Sequence, residues 1–239
     1  MSLCLREGTV LLPVIALAPA IAGLWLLAAL NRSDWPGRRL LAVLLCLGGA
    51  SAGLALVLNH AVEKYSALWS DAAEVRLRVL FWVLGIGLNE EFSKLLVLLV
   101  LVYPHREFRL PYQGLLAAGS VALGFAAVEN LVYLERYGTP TLLVRSLLTV
   151  PAHAGFTMPL GVCLAYAQQA RTLLRKYLWL AGGLCVAVSL HGMYNIWLSL
   201  DGEWLNRAAY VQVLLMLAAA GGLMRLKGDG AWTPRGQAG

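Results

Sequence analysis

The chain has 239 residues, of which 59% are hydrophobic and only 13% are charged. A soluble domain carries roughly 25% charged residues, so this composition excludes an ordinary soluble enzyme and indicates a polytopic membrane protein. The basic residues behind the formal net charge of +6 lie mostly between apolar runs, where they act as topology signals and headgroup contacts, and we expect no nucleic-acid partner.

Seven apolar runs are long enough, or nearly so, to cross a lipid bilayer as helices. In chain order they cover residues 9–30, 40–59, 79–103, 113–134, 142–168, 178–198 and 208–226. We therefore predict an all-α membrane helix bundle with about seven transmembrane helices, seven to eight, in one integral-membrane domain over residues 1–227. In the fourth run, Gly124 and the alanine-rich stretch 115–127 predict close approach to neighbouring helices.

The basic residues of the linkers predict the orientation. Eleven Lys and Arg residues lie after the first, third and fifth runs and in the tail, against six in the N-terminus and the other linkers. The positive-inside rule then puts the N-terminus outside and the C-terminus in the cytoplasm. The Gly- and Pro-rich tail, residues 228–239, is predicted to be disordered and cytoplasmic.

Five ionisable residues interrupt the apolar runs: Glu90, Glu91, Glu129, His153 and His191. A charge at the centre of a membrane helix costs about 2.5–3.5 kcal/mol on insertion scales, so such residues usually serve chemistry or transport. At about 1.5 Å per residue, Glu90 and His153 lie roughly 17 Å below the predicted outer face, His191 about 11 Å and Glu129 about 8 Å. Four helices thus predict one buried site between the midplane and the outer face.

Helical spacing adds a lysine to this site. Lys94 lies four residues after Glu90 and three after Glu91, so it can reach either carboxylate. One lysine cannot compensate two carboxylates, which predicts that one of the pair has a task of its own. Arg145 is expected to be a structural counter-ion for Glu129.

The buried acids and histidines suit activation of water for hydrolysis of a carbonyl, by either of two routes. A desolvated glutamate can act as general base and then as general acid. Alternatively, zinc could be held by a set drawn from Glu91, Glu129, His153 and His191, with an open position for water. Asn195 or a histidine could stabilise the oxyanion. The sequence has neither HExxH nor GxSxG, so the known zincin and serine-hydrolase motifs are absent.

Four ordered motifs resemble those of the PrsW family of intramembrane proteases, which shares a superfamily with CAAX prenyl endopeptidases and bacteriocin-processing enzymes. They are Glu90-Glu91-Phe-Ser-Lys94 for EExxK, Gly124-Phe125-Ala-Ala-Val-Glu129-Asn130 for GFxxxEN, Arg145 ahead of His153 and Gly161, and His191-Gly-Met-Tyr-Asn195. The resemblance covers about half of the chain and defines a core over residues 79–198.

The resemblance implies an intramembrane endopeptidase of the bacterial inner membrane. Its substrate would be a membrane-anchored protein, such as an anti-sigma factor cut in a site-1-type cleavage near the extracytoplasmic side. The implied catalytic set comprises the two paired glutamates, the two histidines, Glu129 and Asn195, and the implied supporting residues are Lys94, Arg145, Phe125 and Asn130.

Three alternatives remain open. Buried Glu and His chains also relay protons, so a proton-coupled transporter is one of them. A CAAX-type prenyl-protein endopeptidase is the second, although that branch has EExxxR and a histidine where Glu129 stands, so Lys94 and Glu129 favour the PrsW branch. The third is a non-catalytic scaffold that binds prenyl or peptide tails.

Overall fold

The computed structural model describes residues 2–31, 35–70, 74–200 and 202–226, and this part of the chain is helical and contains no strand. The predicted all-α class is therefore confirmed. The helices are α1 (Ser2–Leu30), α2 (Arg38–Ser70), α3 (Val75–Leu80), α4 (Leu88–Leu101), α5 (Pro111–Gln169), α6 (Leu173–Ser199) and α7 (Glu203–Leu226), with a π-helical segment (Phe81–Gly87) between α3 and α4.

Helix α5 is a hairpin of two antiparallel halves. Its 59 residues would extend about 88 Å if straight, far beyond the roughly 30 Å hydrocarbon core of a bilayer. Gly138 interrupts it with a φ of 78° and a ψ of −172°, in the left-handed region that favours glycine. Beyond this break the halves run back along each other, because Gly114 contacts Gly161 and Glu129 contacts His153. A Cβ atom at Gly114 would collide with the Gly161 carbonyl, so the approach depends on glycine.

The α5 hairpin forms the centre of the bundle. Helices α1, α2, α4, α6 and α7 all pack against it. The close approach predicted for Gly124 is confirmed, because a side chain there would collide with the backbone of α2 at Leu45. The hairpin can therefore present side chains from both of its halves to α2, α4 and α6.

Among the described residues, five helices are long and apolar enough to cross a membrane: α5 and the segments Leu12–Leu30, Arg38–Tyr65, Leu173–Ser199 and Glu203–Met224. The predicted count of about seven treats the two halves of α5 as separate spans and adds α3, the π-helical segment and α4, and it stays a prediction. The predicted tail, residues 228–239, lies outside the described residues.

Candidate active site

Four segments bring the predicted site residues together. Glu90, Glu91 and Lys94 lie on α4 directly after the π-helical segment, and Glu129 lies on the first half of α5. His153 comes from the second half of α5 and His191 from α6, with the two imidazole centroids 5.1 Å apart. Residues separated by up to 101 positions in the sequence therefore lie in one buried cluster. Their similar predicted depths led us to expect this.

Glu91 is fully engaged by three hydrogen bonds. Lys94 Nζ donates to Oε1 at 2.6 Å, and Thr157 Oγ1 donates to Oε2 at 2.8 Å. His191 Nδ1 lies 2.9 Å from Oε1 and donates the third bond. Because the Glu91 and Lys94 side chains are both 0% exposed, this carboxylate joins α4, α5 and α6 as a buried electrostatic anchor.

Lys94 also determines which nitrogen of His153 carries the proton. Its Nζ lies 3.0 Å from His153 Nδ1, and an ammonium can only donate, so Nδ1 accepts. The proton then resides on His153 Nε2, which donates to Glu129 Oε2 at 2.8 Å. The Lys94 ammonium also lies over the Phe125 ring in a cation–π contact, 4.2 Å from the ring centroid.

Glu129 is paired with a cation of its own. Arg145 Nη2 donates to its Oε2 at 2.7 Å, while Arg145 Nε donates to Asn130 Oδ1 at 3.3 Å and the guanidinium lies 3.6 Å over the Tyr133 ring. Asn130 Nδ2 in turn donates to the Ala16 carbonyl at 3.4 Å, which links this cluster to α1. Arg145 thus lies where a counter-ion of Glu129 is expected from the sequence.

Glu90 is held at one oxygen and unpaired at the other. Asn59 Nδ2 donates to its Oε1 at 3.0 Å, and Asn89 Nδ2 donates to Asn59 Oδ1 at 3.3 Å. In the described part of the chain, Glu90 Oε2 is buried without a hydrogen-bond partner, and His191 Nε2 lies 3.5 Å away. A buried carboxylate oxygen without a partner is costly, which makes Glu90 Oε2 a candidate contact for a ligand.

The residues that are close enough to share a metal ion include Glu90, which the predicted ligand set did not. Atoms of Glu90, His153 and His191 lie within 4.8 Å of one another, whereas both oxygens of Glu91 are already hydrogen-bonded. His191 donates through Nδ1, which leaves a lone pair on Nε2, and a carboxylate behind a histidine is the usual support for a metal ligand. Glu90 Oε2 and His191 Nε2 thus fit a metal ion as they stand. His153 would join them through Nε2 after giving up its bond to Glu129.

Two cavities share lining residues that include Glu90. One, of about 230 Å³, extends toward α6 and is lined by Asn195, one turn after His191. The other, of about 430 Å³, extends toward α2. Five residues line both of them, namely Trp82, Ile86, Glu90, Glu129 and Tyr133. The site is therefore open on both sides of the glutamates to a ligand within the bundle.

Three polar residues of this cluster were not predicted from the sequence: Asn59, Asn89 and Thr157. Thr157 follows His153 by one helical turn and Asn89 precedes the glutamate pair, so both could have been found from spacing. Asn59 ends the second apolar run and looks like an interfacial residue. Its partner lies on another helix 31 positions away, which the sequence does not reveal.

Comparison with known proteins places these residues in a family. Residues 36–221 match the family described as "PrsW family intramembrane metalloprotease". Relatives named "Protease PrsW" include those of Geobacillus kaustophilus, 41% identical over 56% of this chain and 57% of the relative, and of Bacillus subtilis, 37% identical over 51% and 56%. A third, from Oceanobacillus iheyensis, is 35% identical over 59% of this chain and 64% of the relative.

The chain thus spans a little over half of the length of the first two relatives that it matches. No solved structure matches the chain. The family match covers more than three quarters of the sequence, including every residue of the buried cluster except those contributed by α1. The chain therefore belongs to the PrsW family of intramembrane metalloproteases.

Proposed function

We propose that this chain is an intramembrane endopeptidase in which Glu90 activates the attacking water. One observation carries the proposal: the cluster contains three carboxylates but, in the described ranges, two permanently cationic partners. Lys94 pairs with Glu91 at 2.6 Å and Arg145 pairs with Glu129 at 2.7 Å. Glu90 remains as the carboxylate without a lysine or arginine; its Oε2 has no hydrogen-bond partner, and the residue lines both cavities.

The chemistry follows from this division of charge. The Glu90 carboxylate accepts a proton from water while the water oxygen forms a bond to the scissile carbonyl carbon. The proton then passes to the amide nitrogen as the C–N bond breaks, and the carboxylate returns to its starting state. The developing oxyanion requires hydrogen-bond donors, for which the Asn195 amide on the wall of the same cavity is suited.

The same residues are suited to a metal ion. Glu90, His153 and His191 would hold zinc, which when bound polarises a carbonyl or activates a bound water as nucleophile. Metal content separates this route from a glutamate acting alone. Wild-type protein incubated with zinc and desalted should retain about one zinc per chain, and Glu90→Gln and His191→Ala should lose it. A wild type that retains no zinc would assign water activation to the glutamate alone.

The proposed substrate is a protein anchored in the same membrane by an apolar segment. We propose the bacterial inner membrane, with the N-terminus outside, and an anti-sigma factor as the substrate type. Membership of the PrsW family supports proteolysis over proton-coupled transport and over prenyl-protein processing.

Reconstituted enzyme and tagged single-span substrates test the function. We expect wild-type protein to release a fragment and Glu90→Gln to slow cleavage by about 10²–10⁴-fold, the usual contribution of a general base. Glu203→Gln is the matched control, because Glu203 is exposed on α7, pairs with Arg207 and lines neither cavity. Cleavage by Glu90→Gln at the wild-type rate would refute the assignment. The same inactive variant, used as a trap in cells, would identify the captured membrane protein.

A further inference from the structure

Two residues that each have an unpaired buried polar atom line the same cavities. Across the described residues, three buried side-chain polar atoms have no hydrogen-bond partner: Trp82 Nε1, Glu90 Oε2 and Ser146 Oγ. Trp82 and Glu90 are also two of the five residues that line both cavities. Glu90 Oε2 is an acceptor and belongs to the proposed base. Trp82 Nε1–H is a donor, and the chemistry proposed above does not use it.

The backbone around Trp82 has an unusual conformation. Trp82 belongs to the π-helical segment Phe81–Gly87, which is wider than an α-helix and ends directly before α4. Such segments occur frequently at functional sites. Helix α6 packs tightly on this segment, because a Cβ atom at Gly192 would meet Val83 side-chain and backbone atoms. The indole is thus held at the junction of the cavities, with its ring edge against Phe81 at a centroid distance of 4.9 Å.

An indole N–H can only donate, so its missing partner is an acceptor. Buried tryptophans usually satisfy this N–H, and hydrocarbon offers nothing in its place. The carbonyls of a helical membrane segment already accept bonds within their own helix. A substrate that supplies a free carbonyl here must therefore be locally unwound, as a peptide must be for hydrolysis of its backbone.

The shape of the space agrees with a chain passing through it. The cavity on the α6 side and the cavity on the α2 side extend in different directions from the residues that they share. A small ligand needs one cavity beside the carboxylate, whereas an extended peptide needs space on both sides of the scissile bond. The α2-side cavity has an apolar floor at Ala52 and Ala55 and carries Asn59 and Glu63 further along the same face of α2.

We propose that the two cavities form one peptide-binding cleft, and that Trp82 donates its indole N–H to a backbone carbonyl oxygen of the unwound substrate. This rests on the proposed function, since it assigns a binding role within that active site. Trp82 would be a catalytic residue if its acceptor is the scissile carbonyl, and a substrate-binding residue if the acceptor is a neighbouring one.

Removal of the N–H alone tests the proposal. Trp82 is replaced by 3-benzothienylalanine, which has sulphur where indole has N–H, and in parallel Trp82→Phe is made. Because the N–H has no partner in the free protein, we expect the melting temperature to stay the same or rise. We expect kcat/KM to fall by at least about tenfold, and by about 10²–10³ in kcat if the acceptor is the scissile carbonyl. Trp179→Phe, on α6 and stacked on Tyr166, is the control and should match the wild type.

Three outcomes decide the matter. A benzothienylalanine variant with wild-type kcat/KM, in an enzyme that cleaves normally, would overturn the role of Trp82 and leave the proposed function standing. A parallel loss of melting temperature and activity in both variants would make Trp82 structural, which also overturns it. A wild-type protein that cleaves no substrate would remove the proposed function itself.

Discussion

The two adjacent glutamates should respond oppositely to the same substitution. Glu91 accepts three hydrogen bonds and forms an ion pair with Lys94 in which both side chains are 0% exposed. Glu90 accepts one hydrogen bond, from Asn59, and its second oxygen is unpaired within the described chain. We therefore predict that Glu91→Gln weakens the fold, whereas Glu90→Gln leaves the fold intact and slows cleavage by about 10²–10⁴-fold.

The magnitudes follow from these contacts. Glu91→Gln leaves the Lys94 ammonium buried opposite a neutral amide, and breaking a buried ion pair in this way costs about 3–5 kcal/mol. At about 2–4 °C per kcal/mol for a chain of this size, the melting temperature should fall by about 6–20 °C. Glu90→Gln keeps the acceptor for Asn59 and removes an unsatisfied charge, so its unfolding free energy should change by less than about 1 kcal/mol, or rise.

Thermal unfolding in detergent, measured beside cleavage of a single-span substrate, checks both halves of this prediction. The double variant Glu91→Gln with Lys94→Met should be more stable than the sum of the single effects, because replacing both partners removes the stranded charge. Equal destabilisation by Glu90→Gln and Glu91→Gln would refute the division of roles. So would an unchanged melting temperature in Glu91→Gln.

Three further substitutions test the surroundings of the site. Asn59→Leu should lower kcat by about tenfold or more with little change in KM, because the amide orients the reactive carboxylate; kinetics on a reconstituted enzyme would measure this. Ala55→Leu should reduce cleavage of substrates with a large side chain beside the scissile bond by about 10–200-fold, and it should not affect substrates with alanine there. The control Ala50→Leu, exposed on the same helix, should cleave both kinds of substrate like the wild type. Gly161→Ala should lower the free energy of unfolding by about 1–3 kcal/mol or more, because the added methyl collides with the other half of α5. Gly182→Ala, where the added methyl meets open space, should leave the melting temperature unchanged in the same thermal unfolding assay.

Hydrophobic patterning predicted the all-helical class and the grouping of the ionisable side chains in one buried cluster. Six of the seven apolar runs lie within a described helix, and the third, residues 79–103, begins in α3 and ends two residues beyond α4. Similar depths predicted that Glu90, Glu129, His153 and His191 lie close together, and the structure places them in one cluster. These features depend on helix length and bilayer thickness, which composition and a rise of about 1.5 Å per residue determine.

Sequence could not assign the partners within the cluster. The segment FWVLGIG is uniformly apolar, so its sequence does not predict a π-helix. The π-helix changes the direction in which the side chains of α4 point relative to the neighbouring helices. Neighbouring positions on a helix point about 100° apart, so this change affects which glutamate faces Thr157 on α5. The bond between Asn59 and Glu90 is likewise set by the packing of α2 on α4, which no local pattern encodes.

His191 couples the glutamate that holds the fold to the one proposed to react. Its Nδ1–H donates to Glu91 at 2.9 Å, so its Nε2 faces Glu90 at 3.5 Å as a lone pair. A glutamine at position 91 can still accept from Nδ1–H through its amide oxygen, whereas an alanine cannot. At a temperature where both proteins stay folded, Glu91→Gln should therefore retain more cleavage activity than Glu91→Ala. Equal residual rates in the two variants would mean that Glu91 acts on the fold alone and does not orient the histidine.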